Sequence, residues 1–160
     1  MTDPIRPTDD EARALARGLM DDATFAALGV MDPDGGGPML SRVAIAMDPD
    51  AAPISLISSL SAHARALAAD PVCSLLVGEP EDRGDPLTHP RLTLQAQADP
   101  VARDDDRFVA LREHYLALRP KSKLYIDFGD FYLVRFTVRR AILNGGFGKA
   151  FVLTPEDLGL

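Results

Sequence analysis

Hydrophobic positions along the chain change period several times, and each change marks an element. Between residues 8 and 20, Ala12, Leu15, Ala16 and Leu19 recur at helical spacing, with Arg13 and Arg17 on the other side. Thr8-Asp9-Asp10-Glu11 in front of them reads as a capping box, Thr8 accepting from the third helical amide while Glu11 reaches back. From Thr24 the pattern turns to short apolar runs. Phe25 to Val30 ends in the turn cluster Asp32-Pro33-Asp34-Gly35-Gly36-Gly37, a second strand runs from Met39 to Met47, and Asp48-Pro49-Asp50 separates it from a third at Ile54 to Ser58. Turn-length links between three successive strands predict antiparallel neighbours.

Ser59 to Ala69 reads as a short helix with Leu60, Ala64, Leu67 and Ala68 as its stripe and Asp70-Pro71 as its stop. Val72 to Val77 is a fourth strand. The polar stretch from Gly78 to Pro90 holds three prolines and is excluded as a central strand. Arg91 to Ala98 alternates Leu92, Leu94, Ala96 and Ala98 with Thr93, Gln95 and Gln97, the pattern of a half-buried strand. Asp104-Asp105-Asp106 opens a helix with Phe108, Leu111, Tyr115 and Leu118 on one face and Pro120 at its end. Phe131 to Ala141 and Ala150 to Leu153 are the last strands, joined across Asn144-Gly145-Gly146-Phe147-Gly148. About seven strands with three short helices predict a mainly β, α+β fold: a small antiparallel barrel with short flanking helices. The expected organisation is one domain over residues 1–160, with its core at about 20–153.

Composition narrows the function classes. A chain of 160 residues with 46% hydrophobic and 26% charged residues has the make-up of a globular domain. The net charge of −7 argues against a nucleic-acid binder. No apolar run is long enough for a membrane helix. The acidic, proline-bearing start is unlike a signal peptide, and the single Cys73 excludes an intrachain disulfide, so the cytoplasm is the expected compartment.

Several familiar chemistries lack their motif. There is no Gly-x-Ser-x-Gly elbow, and His63, His89 and His114 form no metal-ligand pair, so no metal site is expected. Gly145-Gly146-Phe147-Gly148-Lys149 is not a phosphate loop, because Ala150 stands where a hydroxyl must hold magnesium; it reads as a hairpin turn. The strand-to-helix turn Ser58-Ser59-Leu60-Ser61-Ala62-His63-Ala64-Arg65 is the best candidate. A helix N-terminus offers free amides and partial positive charge, to which Ser59, Ser61, His63, Arg65 and Arg42 of a neighbouring strand would add donors. A Ser cap alone is the bland alternative.

The segment Leu28 to Val77, with Asp32-Pro33-Asp34-Gly35-Gly36, Ser41-Arg42-Val43, Ser58 to Ser61, His63 and Ala69-Asp70-Pro71, resembles the pyridoxamine-5′-phosphate-oxidase-like FMN-binding split barrels. Gly84 to Gln95, Phe128-Gly129-Asp130-Phe131 and Gly145 to Ala150 look like the haem-utilisation (HugZ-like) branch. The resemblance implies a homodimeric split barrel with FMN at the subunit interface. Carried onto this chain, it gives Arg42 and Ser61 on the FMN phosphate, His63 where the oxidases use lysine, Val43 and Ser58 lining the cofactor, and Gln95 reaching the flavin from the next strand. Ala62 and Met47 replace basic residues of the oxidases, whose C-terminal Arg-x-His motif has no counterpart, so vitamin-B6 oxidation is not expected. Longer relatives of the haem branch carry a further C-terminal domain; with Thr154-Pro155-Glu156-Asp157 beginning a helix close to Leu160, the expectation is a barrel lacking it. Three readings follow: a flavin-dependent oxidoreductase of unknown substrate, a haem-binding protein with His63 or His89 as candidates, or a non-catalytic dimeric binding module. The partner in each is a small molecule or a second copy of the chain, because an open barrel leaves edges and faces to be covered.

Overall fold

A computed structural model describes residues 3–160. Its strands come largely as hairpins. β1 (Phe25–Met31) and β2 (Pro38–Ala44) pair antiparallel with Ala27 opposite Arg42, and the turn is closed by the Asp32 amide donating to Gly37 O at 2.8 Å. β3 (Ala46–Met47) pairs with β4 (Pro53–Ser58). The single strand expected from Met39 to Met47 is therefore broken. At Ile45 the chain leaves the ladder, its amide donating to Thr24 O, and the Arg119 guanidinium holds the carbonyls of Ile45 and Ala23. That break makes eight strands where about seven were expected.

One sheet contains all of them, in the order β2-β1-β5-β6-β7-β4-β3, with β5 at Val72–Val77, β6 at Arg91–Val101, β7 at Phe131–Asn144 and β8 (Ala150–Leu153) pairing with β7. The strands at the two ends of this order, β2 and β3, are consecutive in sequence. Only a curled sheet brings them together, and the Ser55 hydroxyl donates to Ala44 O at 2.5 Å across the gap. β7 splits the barrel: one of its edges pairs with β4 over Phe131–Arg135 and with β8 over Ala141–Asn144.

The helices start where side chains close their ends. Asp9, not Thr8, caps α1 (Asp10–Asp22): its carboxylate accepts from the Ala12 amide at 2.8 Å, while the Thr8 hydroxyl donates to Val152 O on β8. α2 spans Ala62–Ala69. α3 (Phe108–Leu118) begins later than the acid run suggested, because Asp105 turns back to the amide and guanidinium of Arg107 in the preceding turn. Thr154 and Asp157 cap one another reciprocally around a final short 3-10 turn. The segment from 78 to 90 forms no strand. Gly78 at its start has φ +101, and a Cβ there would lie 2.6 Å from Pro90 O. The β7–β8 connection is the expected glycine hairpin, with Gly146 at φ +124 and Gly148 at φ +67.

Two cores result. The larger fills the barrel with Leu28, Leu75, Leu92, Leu94 and Phe136 and takes in Ala12, Ala16 and Met20 of α1. The smaller joins α3 to β4 and β7 through Tyr115, Leu111, Ile54, Leu56 and Leu133. β4 is therefore covered on both sides, which is why its sequence is a continuous apolar run. β1, β5 and β6 are covered on one side only.

Candidate functional site

The helix of the candidate turn starts at Ala62, not Ser59, because Ser61 keeps extended backbone angles (φ −75, ψ 149) as its N-cap. Its hydroxyl donates to Ser58 O at 2.6 Å and accepts from the Ala64 amide at 3.2 Å. The Ser58 hydroxyl donates to Asp130 Oδ2 at 2.6 Å and accepts from the Leu60 amide. Both hydroxyl protons are thus engaged inside the protein. The Ser59 hydroxyl and the amides of Ala62 and His63 remain without a protein partner among the described residues. Asp130 brings a carboxylate to the helix's positive end.

His63 is half-buried, with Nδ1 3.2 Å from Ser41 Oγ. Burial lowers its pKa below the ordinary histidine value, so the ring is neutral at pH 7. Arg65 is exposed; its guanidinium donates to Leu60 O at 3.3 Å and lies 4.0 Å from Asp34. Ser59 and Arg65 border a cavity of about 340 Å³ with Leu67, Ala68, Tyr132 and Val134.

Strand alternation separates the remaining candidates from this turn. Ser41 and Val43 face inward, Ser41 to His63 and Val43 into the core, so the Val43 side chain is closed to a ligand. Arg42 faces the opposite way, its guanidinium 5.4 Å from the centre of the Phe25 ring. Gln95 is exposed on the same outer surface, between Ser74 and Arg140 in register. The structure gathers Ser58, Ser59, Ser61 and His63 at the turn, and places Arg42 and Gln95 on the sheet's outer face.

At one end of that face lies a larger cleft of about 720 Å³. Phe25, Ala27 and Leu76 form its apolar floor with Arg42 beside them, and the 78–91 segment adds Leu87, His89 and Arg91. Asp22, Glu79 and Glu81 stand at the exposed rim, where Glu81 pairs with Arg83. His89 organises the loop: Nδ1 accepts from the Glu81 amide at 3.1 Å and Nε2 donates to Arg83 O at 2.8 Å. Both ring nitrogens are occupied, so as folded it ligates nothing. His114 similarly donates to Met47 O, tying α3 to β3. Among the described residues no three His, Cys, Asp or Glu side chains come together as a metal centre requires.

Phe25, Leu76 and Arg91 were not singled out by the sequence reading as ligand-facing. A signal for them existed: Phe25 and Leu76 belong to strands whose inward positions are already apolar, so large apolar residues of the other parity mark a second surface.

Comparison with known proteins gives this geometry a family. The model described as "CREG, beta-barrel" matches residues 7–158, and the chain belongs to that family. It is 40% identical over 122 residues to "Non-canonical heme oxygenase HOZ, chloroplastic" of Arabidopsis thaliana, covering 76% of this chain but 36% of that protein. The chain thus spans about a third of that relative. A heme-binding protein from Mycobacterium smegmatis is 29% identical with a TM-score of 0.82, over 97% of this chain and 61% of that one. A pyridoxinephosphate oxidase family protein from Clostridium acetobutylicum, 14% identical, has a TM-score of 0.70 over 94% of this chain and 99% of that one, and shows the shared split-barrel fold alone. No helix among the described residues is long and apolar enough to cross a membrane.

Proposed function

We propose, from its place in the CREG β-barrel family and the chemistry of the outer cleft, that this chain is a haem-binding split barrel. The cleft itself is the observation that carries the reading. Its floor is apolar at Phe25, Ala27 and Leu76, and Arg42 and Arg91 stand beside that floor. A broad aromatic macrocycle bearing carboxylates needs this combination of apolar area and a few cations. The names of the Arabidopsis and Mycobacterium relatives support the same ligand.

The residues present fit the body and carboxylates of haem. Phe25 and Leu76 would lie against the ring, with Arg42 and Arg91 adding positive charge beside it. Bound haem supplies redox-active iron; the chain's own part is to hold, orient and desolvate it. His89 takes no share in ligation while its two loop bonds persist. Haemin titration of the purified chain should give a shifted Soret band, weakened by Arg42→Ala. A chain that gives no Soret shift overturns the reading.

FMN is the second reading, and the open amides of Ala62 and His63 with the Ser59 hydroxyl favour it, since they suit a phosphate at a helix start. Asp130 and neutral His63 oppose it, so the haem reading leads. An FMN-dependent rise in melting temperature, abolished by Ser59→Ala and absent with riboflavin, would reverse that order.

The outer face also supports a homodimer. Leu40 is 75% exposed, Val72 56% and Leu76 43%, on β2 and β5, the strands either side of β1. A second copy would cover them and enclose the ligand between subunits. Sedimentation at the monomer mass of 17.3 kDa would refute this. Cys73, the one thiol, is buried and free, which agrees with a cytoplasmic or other reducing setting.

A further inference from the structure

β7 carries an irregularity opposite Gln95 and Ala96. Gln95 pairs with Arg140 but Ala96 with Val138, so Arg139 is an extra residue in the ladder. Burial along β7 records the consequence. Phe136 and Val138 point inward, as do Ala141 and Leu143, while Arg139 and Arg140 between them are both exposed. A bulge turns two consecutive side chains to one side of a sheet, where regular alternation would send one into the core. The side is the outer face: Arg139 bonds Gln97 Oε1, and Arg140 stands opposite Gln95. Arg140 has no side-chain partner among the described residues.

The surroundings of the pair are selective in charge. Outward positions of β6 from Arg91 to Gln97 are Arg91, Thr93, Gln95 and Gln97, and those of β5 are Val72, Ser74 and Leu76. None is acidic, on a chain of net charge −7. The register joins the pair to the cleft floor. Ala27 neighbours Leu76, Leu76 neighbours Thr93, and Gly29, Ser74, Gln95 and Arg140 form the next row. Two strand spacings and two residues of rise put Arg140 roughly 12 Å from Leu76. Between them on this face stand Ser74, Thr93 and Gln95, polar and uncharged, so no carboxylate interrupts that distance.

We infer that Arg139 and Arg140 form an anion-holding site on the same outer face just beyond the cleft floor, taking a carboxylate of the flat ligand whose body lies on Ala27, Leu76 and Ser74. The inference rests on the haem reading for the identity of that ligand. It makes the bulge a specificity device: a neutral ligand of the same shape gains nothing from it, whereas charge-assisted hydrogen bonds reward the free acid.

The test is titration of wild type, R139Q, R140Q and the double variant with haemin, metal-free protoporphyrin IX and haemin dimethyl ester. The double variant should bind haemin and protoporphyrin roughly ten- to hundredfold more weakly, with the ester unaffected. R140K should retain most of the affinity. Lys123→Gln, an exposed charge change on the turn after α3, should leave all three ligands unchanged. Equal losses for acid and ester, or none for either, overturn the inference while leaving the haem reading intact. Protoporphyrin binding that depends on the pair, without any haemin Soret shift, would uphold the anion site and overturn the haem reading. A wild-type chain that binds none of the three overturns both. Both arginines are exposed, and unchanged circular dichroism verifies that each variant is folded.

Discussion

One sheet presents two kinds of surface, and they differ in what the chain supplies to cover them. β4 is enclosed on both sides, Ile54 and Leu56 against α3 and Ile57 within the barrel. β1, β5 and β6 are enclosed on one. Their inward residues Leu28, Leu75 and Leu92 are fully buried, while Leu76 and Val72 of the same sheet stay exposed on the other side. A sheet face rich in apolar residues is ordinarily matched by a packing element, as α3 matches β4. Here the uncovered face holds Arg42, Arg91, Arg139 and Arg140 instead. On the proposed function the first surface serves stability and the second a ligand, and substitutions should separate the two.

The largest effect belongs to the covered surface. Leu133→Ala empties a fully buried position beneath α3 and should cost about 3–4 kcal/mol, lowering the melting temperature by roughly 10 °C. Leu76→Ala on the open face should cost about 1 kcal/mol or less, yet weaken haemin binding. Similar melting curves for the two variants would erase the distinction. Next comes Asp48, whose buried carboxylate accepts from Arg135 Nε at 2.8 Å and from the amides of Asp50 and Ala52 at 2.9 Å. Asp48→Ala strands those three donors and should cost about 2–3 kcal/mol by urea unfolding. Arg139 and Arg140 anchor nothing comparable, so their removal should leave the urea midpoint in place. Ser61→Ala, which removes the α2 cap, should cost about 1 kcal/mol. A loss too small to detect would mean that the Ser58–Asp130 bond alone holds the turn.

The same contrast explains what was legible in the sequence. Alternation in Arg91–Ala98 and the continuous run at β4 identify those strands and their burial, because period and polarity report local environment directly. The Arg119 contact that breaks the strand at Ile45 comes from 74 residues away, and no local pattern encodes it. Asp9 displaces Thr8 as cap for a similar reason, since β8 claims the Thr8 hydroxyl. For the candidate site, residue types were readable and directions were not. Ser58, Ser61 and His63 do gather at one turn, but whether a hydroxyl is free depends on Asp130, far along the chain. Arg42 and Ser41 are neighbours in sequence on opposite faces of β2, so proximity along the strand misleads by one residue. The bulge at Arg139 hides for the same reason: it becomes visible only when the register with β6 is known.

Ser41 and Arg42 also supply the smallest and sharpest test, because the pair spans both surfaces. On the inner side, Ser41 holds His63, whose pKa burial depresses. Above the ordinary histidine range, folded and unfolded chains both carry the neutral ring, and the contribution to stability is complete. As the pH falls below that range, the unfolded chain binds a proton that the folded one resists, so stability declines until the folded value is passed. Wild type should therefore lose slightly more stability than His63→Gln between pH 7.5 and 5.5 by urea midpoint. The His63 ring protons should also titrate at lower pH than those of a free histidine by NMR. Arg42→Ala should leave that pH profile unmoved while reducing haemin affinity, because its guanidinium faces the other way. If Arg42→Ala shifts the His63 titration, the two sides of β2 communicate, and the division between a structural face and a binding face fails at the strand where it is drawn most finely.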